Sequence, residues 1–90
     1  MDIITLKVSA KSNPKSVAGS IVNNIREGRG IDIVAMGANA VNQTVKAIAI
    51  AGEYAEPEGY EILCKAGFTH LELEGETKSA VKIAVIVNKK

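Results

Sequence analysis

Residues 4–28 read ITLKVSAKSNPKSVAGSIVNNIREG, and a change of hydrophobic period within this stretch decides the fold. In its first part, apolar side chains occupy every second position, at Ile4, Leu6 and Val8. In its second part, they recur at every fourth position, at Val17, Ile21 and Ile25. A period of two predicts a strand with one buried face, and a period near 3.6 predicts an amphipathic helix. The stretch therefore predicts a β-α unit.

The boundaries of this first helix are also marked. The side chain of Asn13 suits the N-cap, and Pro14 suits the first helical position, where its missing N–H costs nothing. Gly28 suits the position after the last turn, which often takes a left-handed conformation. We therefore expect a helix that begins after Asn13 and ends before Gly28.

The remaining elements follow from the same signals. Residues 31–36 carry little polar character on either face, which is typical of a central strand. A second helix is predicted from Ala38 to about Tyr54, and a third strand from about Tyr60. A short turn over 74–76 leads into a fourth strand. The order β-α-β-α-β-β predicts one α/β domain over residues 1–90, a two-layer α+β sandwich with two helices on a four-stranded mixed sheet.

The third strand contains a slip in its apolar pattern. One face is shared by Ile62, Cys64, Ala66 and Phe68, whereas Leu71 and Leu73 have the opposite parity. One extra residue in a strand moves every later side chain to the other face, so we expect a bulge near Gly67 or Thr69. We also place Cys64 in the core. The predicted buried set is Ile4, Leu6, Val17, Ile21, Ile33, Val45, Ile48 and Val85.

Composition excludes several classes of protein. Cys64 is the single cysteine, which rules out an internal disulfide and a multi-cysteine metal site. The longest uncharged stretch, residues 33–45, is interrupted by glycine and amides and is too polar to span a bilayer. No export signal is visible, so a cytoplasmic location is expected. His70 has no second histidine or cysteine at metal-ligand spacing. We therefore expect no metal, no cofactor and no catalytic residue.

Net charge is +1, but the charges are segregated along the chain. Residues 1–50 carry six basic and three acidic groups, whereas residues 51–77 carry one lysine and seven glutamates. Residues 78–90 carry four lysines and no acid. Any nucleic-acid-binding surface must therefore be a local basic patch.

Two clusters are candidates for such a patch. The first, at the start of the first helix, consists of Lys11, Ser12, Asn13 and Lys15. A helix N-terminus presents free N–H groups and a partial positive charge, so lysines there are locally unfavourable unless an anion such as phosphate binds between them. The alternative is an ordinary cap with solvated lysines.

The second cluster consists of Asn39, Asn42, Gln43 and Lys46. The last three follow Asn39 by three, four and seven residues, so all four share one face of the second helix. Amides can pair with phosphate, sugar or base edges. The alternative is a neutral, solvated face. The neighbouring alanine-rich side is expected to pack on the sheet or on a second subunit.

A resemblance to a known family runs through residues 6–12, 16–19 and 41–51, Ala66-Gly67-Phe68-Thr69 and the hairpin turn. In these segments the chain resembles the stage V sporulation protein S family. That family belongs to the Alba superfamily, and the resemblance implies the same β-α-β-α-β-β fold. It also implies a homodimer, a role in sporulation or development, and binding of DNA or RNA, for which the two clusters are the candidate sites. Archaeal Alba proteins extend a long basic hairpin, whereas residues 72–76 here read ELEGE and are acidic. The hairpin contact of Alba is therefore not expected.

Three functional classes remain. A non-enzymatic nucleic-acid-binding protein is the leading hypothesis. A protein-interaction adaptor without direct nucleic-acid binding is the alternative, which the near-neutral charge and the acidic hairpin favour. An enzyme is disfavoured, because no nucleophile with its base and no phosphate-binding loop can be identified.

Overall fold

The computed structural model describes residues 2–90 and has the predicted β-α-β-α-β-β order. The elements are β1 (Ile3–Val8), α1 (Pro14–Arg26), β2 (Gly30–Ala35), α2 (Ala38–Ala55), a 3₁₀ turn (Glu56–Glu58), β3 (Tyr60–Leu73) and β4 (Glu76–Lys89). The four strands form one sheet in the order β1-β2-β4-β3. β1 is parallel to β2, and β4 is antiparallel to β2 and β3, so the prediction of a mixed sheet with β2 inside it is confirmed. None of the helices in residues 2–90 has the length and apolar character needed to cross a membrane.

The predicted cap of α1 is present. The Asn13 Oδ1 accepts hydrogen bonds from the backbone N–H groups of Lys15 (2.8 Å) and Ser16 (3.4 Å). Gly28 follows the helix with a φ of 77°, a conformation that a side chain would strain. The start and the stop of this helix were therefore readable from three residues.

The core lies between the helices and β1, β2 and β4. Of the predicted buried set, Ile21, Ile33 and Ile48 are buried. Ile4, Leu6, Val17 and Val85 are half-buried. The prediction for Val45 is wrong, because this side chain is 53 % exposed.

The small side chains of α2 explain the error at Val45. The side chains that α2 buries are mostly small, namely Ala40, Thr44, Ala47, Ala51 and Ala55, together with Ile48. Small residues at a contact allow the backbones to approach closely, so this stripe packs inward and Val45 is turned outward. The buried hydroxyl of Thr44 donates to the Ala40 carbonyl (2.9 Å), which satisfies it within the helix.

The predicted bulge in β3 is also wrong. The pairing of β3 with β4 is unbroken from Tyr60–Lys89 to Leu73–Glu76. Glu74 and Gly75 both have positive φ, as a tight two-residue hairpin turn requires. The apolar parity changes because β3 is an edge strand, and most side chains in the half of β3 next to the hairpin turn are exposed on both faces of the sheet.

Cys64 is exposed as well, which corrects its predicted place in the core. The side chain belongs to the face of the sheet that the helices cover, but the helices leave much of β3 uncovered. A lone cysteine in an apolar alternating pattern is therefore not enough to predict burial in an edge strand.

Several elements begin or end at one edge of the sheet, the edge formed by the C-terminal ends of β1 and β2. β1 and β2 end side by side, with Val8 opposite Ala35, and each is followed by a helix. β2 pairs with β4 only as far as Val81, so the hairpin residues 69–80 extend past this same edge. We call residues 69–80 the arm. The starts of both helices and the base of the arm thus share one edge.

Candidate nucleic-acid interface

An open groove of about 660 Å³ lies between the loop after β1, the start of α1 and the middle of α2. Six of the eight predicted site residues line it, namely Lys11, Ser12, Asn13, Lys15, Gln43 and Lys46. The wall is completed by Pro14, Ala49 and Ile50. The fold therefore brings the whole of the first cluster together with half of the second.

The loop that carries Lys11 is held by its own serines. The Ser12 Oγ accepts a hydrogen bond from the Ser9 N–H (2.9 Å), and the Ser9 Oγ accepts one from the Lys11 N–H (3.2 Å). The Ser12 N–H also donates to the Ser9 carbonyl (3.1 Å). These bonds fix the turn, so Ser12 acts first as a structural residue of the loop.

Gln43 joins α2 to this loop. Its Nε2 donates to the carbonyl oxygens of Ser12 (3.3 Å) and Ala10 (3.4 Å). Both hydrogen bonds are long, but they reach across 31 and 33 residues of sequence. The amide nitrogen thus positions the backbone on either side of Lys11.

Asn13 leaves fewer free donors at the start of α1 than the sequence suggests. Its side chain occupies the N–H groups of Lys15 and Ser16, and its carbonyl accepts from the Val17 N–H (3.1 Å). An incoming anion would therefore meet lysine ammonium groups and the partial positive charge of the helix end.

The three lysines of the groove have no acidic partner among residues 2–90. The four salt bridges in this part of the chain use Arg26, Arg29, Lys82 and Lys90 instead. The first turn of α1 also contains no acidic residue. Positive charge from Lys11, Lys15 and Lys46 is therefore uncompensated within the groove.

At the C-terminal end of α1, unlike in the groove, the basic side chain has an acidic partner. Arg26 donates two hydrogen bonds to the Glu58 carboxylate, from Nε at 2.9 Å and from Nη2 at 2.7 Å. The hydrogen bond from Arg26 holds the pKa of Glu58 below its usual value, and the same contact raises the pKa of Arg26. This pair neutralises its own charge and connects α1 to the 3₁₀ turn.

Asn39 and Asn42 lie outside the groove lining. Both are exposed on the first two turns of α2, nearer the edge of the sheet. The preceding Gly37 has a φ of 88° and no side chain caps this helix. The predicted cluster on α2 is thus divided, with Gln43 and Lys46 in the groove and both asparagines beside it.

The sequence analysis did not single out the apolar part of the groove. Ala49 and Ile50 continue the helical spacing of Gln43 and Lys46 by one more turn, so periodicity is the signal that could have identified them. His70 is exposed on the arm, where its Nδ1 lies 3.4 Å from the Ser79 Oγ. No group of three metal-ligating side chains occurs in the described residues.

Comparison with known proteins gives two findings. A family model described as stage V sporulation protein S matches residues 4–88. Among solved structures, Alba from Thermoplasma volcanium superposes with a TM-score of 0.64 and 15 % sequence identity, covering 96 % of this chain and 100 % of that one. At this identity the structural likeness shows a shared fold.

Proposed function

Because the chain belongs to the stage V sporulation protein S family, we propose that it is a non-enzymatic nucleic-acid-binding protein that regulates sporulation or development. In this proposal it acts in the cytoplasm and contacts the phosphates of DNA or RNA. The observation that carries the proposal is the groove, in which three lysines without acidic partners surround the start of α1.

The chemistry of the groove suits a phosphate backbone. Lys11 and Lys15 flank a helix N-terminus, whose partial charge attracts anions, and Lys46 faces them from α2. The lining of the groove contains no carboxylate, imidazole or thiol that would act as a general base or a nucleophile. Binding without catalysis is therefore the activity that the lining supports.

We further propose that the protein is a homodimer. Val45 and Tyr54 on α2 are 53 % and 48 % exposed, and Leu63, Ile86 and Val87 expose apolar surface at the other end of the hairpin. Exposed apolar patches usually mark interfaces, and a two-fold dimer is the commonest closed assembly. A dimer would double the number of groove lysines that one nucleic acid meets.

Fluorescence anisotropy with labelled DNA and RNA oligonucleotides tests the proposal. Lys11→Ala, Lys15→Ala and Lys46→Ala should each weaken binding, and the triple variant should abolish it. Lys89→Ala is the matched control, because Lys89 is exposed, forms no salt bridge within residues 2–90, and lies at the end of β4 remote from the groove. A triple variant that binds like the parent protein contradicts the proposal.

The adaptor alternative draws on the arm, whose end carries Glu72, Glu74 and Glu76 beside the exposed Leu73. An adaptor without nucleic-acid binding would not be retained on heparin at low salt. It would also give the same result with Lys11→Ala and with Lys89→Ala.

A further inference from the structure

Phe68 is the most exposed large apolar side chain in residues 2–90, at 82 %. It is the single phenylalanine of the chain, and it lies in the middle of β3 rather than in a loop. A large ring that leaves most of its surface in water gives up the free energy of burial, so an interaction outside the chain is the natural explanation.

The register of the sheet places Phe68 on the edge that carries the groove. One row across the sheet runs through Val8, Ala35, Val81 and Phe68, one residue from each strand. Neighbouring strands are about 4.8 Å apart, so the backbone of Phe68 is about 14 Å from that of Val8. The loop with Lys11 follows Val8 directly, and α2 begins after Ala35.

Burial falls along this row. Val8 is 5 % exposed and Ala35 is 1 % exposed, whereas Val81 is half-buried and Phe68 is open. All four side chains belong to the face of the sheet on which the helices pack, because they share parity with the buried Ile33 and Ile83. The ring therefore lies at the uncovered end of the same face and the same edge.

Two lysines lie near this position in sequence and register, on the opposite face of the sheet. Lys65 and Lys82 line a small cavity of about 160 Å³ together with Gly67 and Phe68. Lys82 is 3.5 Å from Asp32, whereas Lys65 takes part in no salt bridge within residues 2–90. Proteins bind single strands by combining exposed aromatic rings, on which bases stack, with positive charge, which meets the phosphates. Here the ring is that of Phe68, and the charge on the same edge is that of the groove lysines.

We propose that Phe68 is a stacking platform for a base of single-stranded nucleic acid whose backbone occupies the lysine groove. This inference rests on the proposed function and adds the class of ligand. In a duplex the bases are stacked on one another and paired, so the ring has no free base face to contact. Phe68 therefore makes the protein prefer single strands.

A tryptophan in place of Phe68 provides a direct test. The chain contains no tryptophan, so Phe68→Trp introduces one fluorophore at the proposed contact. Titration with oligonucleotides of about ten residues, a length within the usual footprint of a single-strand-binding domain, should quench this fluorescence. Emission that does not change at saturating oligonucleotide overturns the proposal.

Affinity gives a second measurement. Phe68→Ala should weaken single-strand binding about fivefold to 150-fold, the range expected for one stacked base, and should leave duplex affinity and the salt dependence unchanged. Phe68→Tyr should bind like the parent protein. Leu73→Ala is the matched control, because Leu73 is 43 % exposed on the same edge strand but has the opposite parity.

The outcomes separate the two proposals. If Lys11→Ala weakens binding and Phe68→Ala does not, the stacking proposal fails and the proposed function stands. If neither change weakens binding, the proposed function itself fails. If light scattering shows that Phe68→Ala dissociates an oligomer, the ring belongs to a subunit contact, and the stacking proposal is overturned.

Discussion

The response of binding to salt is the most quantitative expectation that the groove provides. The perturbation is the replacement of Lys11 or Lys15 by alanine, and the measured quantity is the slope of log affinity against log salt concentration. Each lysine–phosphate contact releases about 0.9 counterion from duplex DNA and about 0.7 from a single strand. The slope therefore counts the lysines that meet phosphates.

The magnitude follows from the three lysines that line the groove. One chain with three contacts on duplex DNA gives a slope of about −3, and a two-fold dimer with six gives about −5. Raising salt from about 50 to 200 mM should then weaken binding about 60-fold in the first case and about 1000-fold in the second. Lys11→Ala should flatten the slope by about one unit per chain that contacts the nucleic acid.

Fluorescence anisotropy at five or more salt concentrations, with the parent protein, Lys11→Ala, Lys15→Ala and Lys89→Ala, provides the assay. Lys89→Ala should leave the slope unchanged, because it also removes one positive charge, but at the end of β4 that lies away from the groove. Affinity that does not respond to salt refutes the reasoning. Slopes that are equal for the parent protein and for both groove variants refute it as well.

Four further outcomes are expected. Asn13→Ala should lower stability by about 1 kcal/mol through loss of the cap, which is about 4–8 °C in Tm for a chain of this size, whereas Asn13→Asp should retain most of it; thermal denaturation measures both. Glu58→Gln should lower Tm at neutral pH, and this loss should shrink as the pH falls below about 4.3, because a carboxyl whose pKa Arg26 lowers contributes stability above its unfolded pKa and loses it as the pH falls through the folded one. Light scattering should give twice the 9.5 kDa chain mass, and Val45→Lys on the exposed side of α2 should reduce it to one chain. His70→Ala should leave nucleic-acid affinity unchanged, since the ring is exposed and its hydrogen-bond contact is with Ser79 on the arm.

The elements of the fold were predictable because their signals are local. Asn13 followed by Pro14 specifies a helix start through one side chain and one fixed φ, and the structure shows both. The change of period between β1 and α1 needs no information from the rest of the chain. The order β-α-β-α-β-β then leaves a mixed sheet with helices on it as the natural arrangement.

The errors occurred where a pattern gave the face of an element but not what covers it. On α2, two apolar stripes lie side by side, and the smaller one packs inward, so Val45 is exposed although its spacing is that of a core residue. On β3, alternation placed Cys64 and Phe68 on the helix-covered face correctly, but the helices leave both exposed. The parity of apolar residues predicts burial only where a second layer is present.

The candidate site was predictable in part for the same reason. Lys11, Lys15 and Lys46 were found from local charge and helix geometry, and the fold brings them to one groove. The hydrogen bonds of Gln43 could not be foreseen, because its partners at Ala10 and Ser12 are more than thirty residues away in sequence. A side chain that looks like a ligand-binding amide in a helix can be the one that holds a distant loop.

The unequal strand lengths connect the groove to the arm. β1 and β2 have six residues each and the hairpin strands have fourteen, so the excess length of the hairpin must extend past the short strands. Residues 69–80 do so at the edge where both helices begin, and this edge therefore carries electrostatic fields of opposite sign. Glu72, Glu74 and Glu76 at the arm tip form no salt bridge within residues 2–90, and the groove lysines likewise form none.

These two fields bear on the path of a bound strand. A phosphate backbone is attracted to the groove and repelled by the arm tip, so the arm does not provide an extended track for it. In the proposed complex the strand crosses the edge from the groove toward Phe68, at the base of the arm. A short footprint follows from this geometry, and the groove lysines then determine most of the salt dependence. The acidic tip also disfavours the long contacts that a rigid duplex would make along the arm, which agrees with a preference for single strands.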